Sequence, residues 1–123
     1  MTAARLVTVT LARAWDPADT AGAPGRIEFA IALDAQGAPD LRAWFEDPKV
    51  WPATRWTDGA EPETGDVAHD DEGWQLRFFS GARDPDAPAH RLLHAEAGLR
   101  PGAVLTLVAP EGQETTWRVV GVQ

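Results

Sequence analysis

Two histidines, His90 and His94, have the spacing in this sequence that most suggests chemistry. Residues four apart on a helix stand on one face, so both imidazoles could bind one metal ion. Glu96, or an acid from residues 58–72, could complete such a site or exchange protons with a histidine. Position 91 is arginine, so the glutamate of the HExxH zinc motif is missing. The pair indicates one alternative function, a small metal-dependent or acid/base enzyme using His90, His94 and nearby carboxylates.

The usual catalytic nucleophiles are scarce in this sequence. It has no cysteine, a single serine, Ser80, and a single lysine, Lys49. Ser80 does not lie in the GxSxG motif of serine hydrolases. The segment from Gly98 to Gly102 lacks the lysine and the preceding strand of a phosphate-binding loop. We therefore predict no catalytic residue and no cofactor, and favour a protein that is not an enzyme.

The tryptophans are the second candidate for a functional site. The 123 residues include six tryptophans, and three of them fall within thirteen positions, with arginines among them. Aromatic and arginine side chains dominate binding hot spots, and flat indoles also stack on sugars and extended peptides. The alternative is that these tryptophans pin an irregular loop over the core. The leading hypothesis is a non-enzymatic binding or accessory module that contacts a protein, peptide or sugar-like ligand. Its predicted contact residues are Trp44, Trp51, Trp56, Arg42 and Arg55.

Composition limits the possible partners and the compartment. The formal net charge is −8, which argues against nucleic acid and anionic membranes, because both are bound mainly through lysine and arginine. No apolar run approaches the 18 or so residues of a membrane helix. We therefore expect a soluble, cytoplasmic protein. Its length is typical of one globular domain, and we assign residues 1–123 to a single domain.

The final segment, residues 102–123, has the sequence of a β-hairpin. Pro110 suits the first central position of a type I turn, and Gly112 suits the left-handed position that follows. This three-residue loop fixes the register of the two arms and gives them one apolar and one mixed face. The predicted pairs on the apolar face are Leu107 with Thr115, Leu105 with Trp117 and Ala103 with Val119.

Three further segments alternate apolar and polar residues as strands do: 5–13, 26–34 and 74–80. Residues 40–46 fit either a strand or a short helix capped by Asp40, and the alternation favours the strand. Segment 47–55, with two prolines, predicts irregular structure, and the acid-rich segment 57–73 predicts an exposed loop. Residues 86–97 predict a helix, with Asp86 as its cap, Pro88 in its first turn and Gly98 after its end.

These elements predict a mainly β (α+β) fold. Five or six strands and one helix near residues 86–97 fit a small antiparallel barrel or sandwich, with a split α+β sheet as the alternative. The apolar residues Val120 and Val122 on the last strand suggest a third function. A strand left unpaired at a sheet edge invites partners, so the protein could be an assembly subunit or a homo-oligomer that pairs through this edge.

Overall fold

A computed structural model describes residues 4–14, 25–57, 59–79 and 86–123, and their strands form a closed antiparallel barrel. Each of the eight strands pairs with its neighbours in chain order, and the last pairs with the first. The strands are β1 (Arg5–Arg13), β2 (Gly25–Leu33), β3 (Pro52–Thr57), β4 (Glu63–Asp70), β5 (Gly73–Phe79), β6 (Ala89–Leu93), β7 (Val104–Val108) and β8 (Glu114–Val122). The predicted mainly β class and antiparallel barrel are confirmed, with more strands than the five or six expected.

The final hairpin has the predicted register. Leu105 pairs with Trp117 and Leu107 with Thr115. The N–H of Ala109 donates to the carbonyl of Gln113 at 2.8 Å, and Gly112 has the expected positive φ of 96°. Turn chemistry and alternation agree in this segment, so the local sequence specifies which side chains point inward.

Apolar side chains fill the middle of the barrel. The inward-facing residues of β1 and β2 are buried, as the alternation predicts. An eight-stranded barrel is narrow enough to be filled by its own side chains. Members of this core from six strands are Val9, Leu11, Phe29, Ile31, Ala53, Leu76, Leu105 and Val119. Any ligand must therefore bind at an end of the barrel or on its outer wall.

Residues 47–51 lack regular structure as expected, but strand β3 begins at Pro52, and strand β4 occupies much of the segment 57–73 that was expected to be an acidic loop. Two acids of β4 have basic partners across the sheet. Glu63 of β4 pairs with Arg55 of β3, and Asp66 of β4 pairs with Arg77 of β5. The acidic composition was misleading because the neutralising arginines belong to other segments of the sequence.

The predicted helix at residues 86–97 is wrong. Ala89–Leu93 form strand β6, which pairs with β5 and β7 and is required to close the barrel. Only Ala95–Ala97 are helical, as a single 3₁₀ turn before Gly98. The helix-like spacing of alanine and leucine is a weak preference, which pairing on both sides overrides.

The preference for a strand at residues 40–46 is also wrong. Leu41–Glu46 form a short helix, α1, and the Asp40 side chain accepts a hydrogen bond from the N–H of Ala43 at 3.0 Å. In a helix Leu41 and Trp44 lie on the same side, and both pack against the core, whereas Phe45 is exposed. The alternative of a helix capped by Asp40 is the one observed.

Closure of the barrel removes the edge proposed for assembly. Strand β8 pairs with β7 on one side and with β1 on the other, and an irregularity near Gly121 turns Val122 inward beside Val9. A closed barrel leaves no free edge strand, so β8 is not the open sheet edge that the assembly hypothesis requires. Val120 remains exposed on the outer face. Among the described residues no helix is both long enough and apolar enough to cross a membrane.

The barrel has two different ends. The connections between β2 and β3 (residues 34–51), β4 and β5 (71–72), and β6 and β7 (94–103) lie at one end, here called the helix end because it includes α1. The β7–β8 turn (109–113) lies at the other end, the hairpin end. The buried apolar core separates the two ends.

Candidate functional site

Helix α1 covers only part of the helix end. A helix of six residues is about 9 Å long, which is too short to span the mouth of an eight-stranded barrel. Its Trp44 lies over β4 and β5, where the indole Nε1 donates to the carbonyl of Val67 at 3.3 Å and the ring meets Trp74 edge-on at 6.2 Å. The sector over β1, β2 and β8 lies beyond this contact.

A cleft of about 540 Å³ opens over that second sector. Its floor is apolar, because the inward-facing residues at the ends of β1, β2 and β8 reach it together with Leu99 from the β6–β7 connection. Its rim is formed by residues 34–37 and 100–101 and by Arg5. The volume is in the range of pockets that hold small molecules. The floor residues are Val7, Leu33, Leu99 and Val122.

Two loops hold Arg100 at the rim of the cleft. The N–H of Leu99 donates to the carbonyl of Gly37 at 2.8 Å, and Nη2 of Arg100 donates to the carbonyl of Gln36. Gly37 and Gly98 have φ of 82° and 112°, and a Cβ on either one would lie within 3.4–3.6 Å of the Arg100 side chain. These distances are ordinary van der Waals contacts, so the positive φ of the two glycines, rather than lack of space, is what disfavours a side chain there. A guanidinium has five N–H donors, so most of those of Arg100 remain available after this one hydrogen bond.

Arg5 approaches the cleft from the barrel wall. It precedes Val7, Val9 and Leu11 on the inward face of β1, at the position where that face reaches the mouth. Within the described residues neither Arg5 nor Arg100 has a carboxylate within 4 Å, whereas at least five other arginines do. Those five pairs are Arg26–Glu28, Arg42–Glu46, Arg55–Glu63, Arg77–Asp66 and Arg91–Glu72.

A cluster of charged and polar side chains lies inside the hairpin end. Arg55 donates three hydrogen bonds of 2.9–3.1 Å to the carboxylate of Glu63, and its Nη1 lies 3.2 Å from Nε2 of His90. Arginine only donates, so Nε2 of His90 accepts and the proton of the neutral ring is on Nδ1. Phe78 packs against both the guanidinium and the imidazole. His90 can act as a base through Nε2 only if Arg55 moves away.

The cluster favours neutral His90. Burial of the ring and the Arg55 guanidinium lower the pKa of His90 below its ordinary value of 6.5, against smaller opposing effects of Glu111 and Glu63. The unfolded chain then binds more protons than the folded protein below pH 6.5, so the free energy of unfolding falls as the pH is lowered through that region. His90→Gln should flatten this part of the pH profile, measured by urea unfolding between pH 7.5 and 5. An unchanged pH profile in the variant would contradict the assignment to His90.

The structure separates the five contact residues predicted from the sequence. Trp44 and the buried Trp51 lie at the helix end, and Arg55 points into the barrel at the other end. Trp56 is on the outer face of β3, with the Arg26 guanidinium 4.3 Å from its ring centre. Arg42 is exposed on α1 and pairs with Glu46. The five do not form one continuous surface.

The predicted histidine pair is also divided. His90 faces inward on β6, whereas His94 follows that strand, is exposed and has a left-handed backbone with φ of 70°. Over the ranges that the structure describes, no group of three or more histidine, cysteine or acidic residues is arranged to hold a metal ion. Ser80 lies outside the described residues.

The cleft was not predicted from the sequence. Arg5 and Arg100 are 95 positions apart, and neither is part of a motif. The only local signal was the pair of glycines around Arg100, at 98 and 102, which proved unlike a phosphate-binding loop. No family model, curated protein or solved structure matches this chain. A functional argument must therefore start from the geometry of the two ends of the barrel.

Proposed function

We propose that this protein is a non-enzymatic binding module that holds a small molecule in the cleft at the helix end. The observation that carries the proposal is the composition of the cleft, where two arginines without carboxylate partners among the described residues lie above an apolar floor. Ligand sites in proteins commonly combine mostly apolar walls with a few convergent polar groups. The binding module expected from the tryptophans is thus kept, with a different contact surface.

The mouth of the barrel suits this role because the strands around it are fixed. The ends of β1 and β2 pair with each other from Arg5 and Leu33 onward, β8 pairs with β1 from Val9 onward, and the two loops of the rim are tied together at Leu99 and Gly37. A site that is already formed loses little conformational entropy when a ligand binds. The proposal keeps a cytoplasmic location. It also excludes nucleic acid and membranes as partners, and the net charge of −8 supports that exclusion.

A fragment titration followed by two-dimensional NMR tests the proposal. Small aromatic acids, alcohols and amines should include binders that shift the backbone amides of Gly37, Gly98 and Leu99, whereas oligonucleotides and anionic vesicles should not. Ala35→Trp adds a bulky side chain to the exposed rim and should weaken binders about tenfold or more. Ala60→Trp, the same substitution at an exposed site of the other end, is the control. Fragments that shift only other regions would refute the proposal.

A further inference from the structure

We infer that the ligand of the cleft is an amphipathic organic anion, with its charged group between Arg5 and Arg100 and its apolar part on the floor. The inference rests on the proposed function and adds the chemical class of the ligand. It uses three features of the cleft: the sign of the charge at its rim, the polarity of its floor and the way in which its arginines are held.

The rim favours an anion. Arg5 and Arg100 bring two positive charges, and Asp34 is the single acid among the residues that line the cleft. Oδ1 of Asp34 accepts hydrogen bonds from the N–H groups of Gln36 and Ala38, at 2.8 and 3.0 Å, and so stabilises the rim loop. A carboxylate or phosphate can accept paired hydrogen bonds from the planar guanidinium fork, whereas a cation would be repelled by both arginines. The local excess of positive charge contrasts with the net charge of −8 for the whole chain.

The floor favours an apolar tail. Val7, Leu33 and Leu99 are buried at 4%, 8% and 1% exposure, and they present only hydrocarbon to the cleft. A polar group placed against them would lose its hydrogen bonds to water without replacement, which is costly. A hydrocarbon chain placed there instead removes its own apolar surface from water. A short aliphatic or aromatic tail therefore completes the site better than a sugar or a second charged group.

The rim arginines differ in how they are held. Both side chains are exposed, but Arg100 donates a hydrogen bond to the carbonyl of Gln36, whereas Arg5 lies at the start of β1 without such a contact among the described residues. Arg100 thus offers a pre-positioned fork at little entropic cost, and Arg5 can adjust to the size of the anionic group. We expect both to contribute to anion binding.

Titration calorimetry with four eight-carbon probes tests the inference: octanoate, octyl phosphate, octanol and octylammonium. We expect octanoate and octyl phosphate to bind, octanol to bind about tenfold more weakly or less, and octylammonium not to bind. The ratio of the dissociation constants of octanoate and octyl phosphate shows whether a carboxylate or a phosphate is preferred. Arg5→Gln and Arg100→Gln should each weaken octanoate about tenfold and leave octanol unchanged, as expected for loss of a charge-assisted hydrogen bond.

Arg118→Gln is the matched control. Arg118 is exposed on the outer face of β8 and, within the described part of the chain, also has no carboxylate partner, so its loss should not change octanoate affinity. Arg100→Lys keeps the positive charge but lacks the paired N–H donors of a guanidinium. It is the second variant to use if Arg100→Gln disturbs the loops. If octanol and octanoate bound with equal affinity, and Ala35→Trp blocked both, the inferred preference for an anion would be wrong. The cleft would still be a binding site. If none of the four probes bound, the inference would be wrong. The fragment titration would then test separately whether the cleft binds small molecules.

Discussion

Replacing Trp51 by alanine should lower the free energy of unfolding by about 3–5 kcal/mol, the usual loss for a buried tryptophan. Trp51 is only 2% exposed, and its ring lies nearly parallel to that of Trp74, with centroids 6.2 Å apart. Its Nε1 donates to Asp47 at 2.8 Å. The variant loses packing and leaves the Asp47 carboxylate without this donor. Urea or guanidinium unfolding, followed by circular dichroism, measures the change.

Trp56→Ala is the comparison that gives this prediction its meaning. Trp56 is half-buried on the outer face of β3 under Arg26, so its removal should cost about 1 kcal/mol, as expected for a partly exposed cation–π contact. Equal losses in the two variants would show that Trp51 is not a core residue. The sequence placed both indoles on one contact surface, and the barrel assigns them to different environments.

The parts of the fold that could be predicted are those whose information is local. In the final hairpin, Pro110 and Gly112 set the turn, and the turn sets the register of the strands. Strands β1 and β2 alternate over nine residues each, which is long enough for the period to be clear. The antiparallel class of the sheet follows from these segments.

The parts that were missed depend on distant partners. Strand β6 has only five residues, and its extended form is stabilised by β5 and β7 on its two sides. Glu63 and Asp66 of β4 suggest a solvated loop until Arg55 and Arg77 are placed opposite them. Which strands pair, and in which register, depends on the complete barrel. It cannot be deduced from the sequence of one segment.

The candidate cleft was missed for the same reason. Its floor combines Val7, Leu33, Leu99 and Val122, which come from β1, β2, β8 and a loop. Each one taken alone is an ordinary core residue. Arg5 and Arg100 both line the cleft because Arg5 pairs with Leu33 across β1 and β2, because the N–H of Leu99 ties the Arg100 loop to Gly37, and because α1 is too short to cover that sector. The residues that line the cleft follow no regular spacing in the sequence, so no motif indicates that they lie together.

Asp66→Asn should also lower the free energy of unfolding by about 3–5 kcal/mol, because it removes the buried carboxylate that pairs with a largely buried arginine. The Asp66 side chain is 1% exposed and that of Arg77 is 16% exposed. Nε and Nη2 of Arg77 donate to the two carboxylate oxygens at 2.8 and 2.9 Å. Arg77→Met should be similarly destabilising, since it strands the carboxylate instead. The double variant Asp66→Leu/Arg77→Met should lose less than the sum of the two single losses, because it leaves neither charge unpaired.

The exposed pair Arg42–Glu46 on α1 provides the control. Its guanidinium and carboxylate lie 3.0 Å apart, but the side chains are 86% and 65% exposed, so Glu46→Gln should leave the free energy of unfolding nearly unchanged. Burial, rather than the short distance, is what makes one pair important and the other dispensable. If Asp66→Asn were as mild as Glu46→Gln, segment 63–70 would behave energetically as the solvated acidic loop that its composition suggests. A large loss instead requires strand β4 to hold that carboxylate against β5, as closure of the barrel demands.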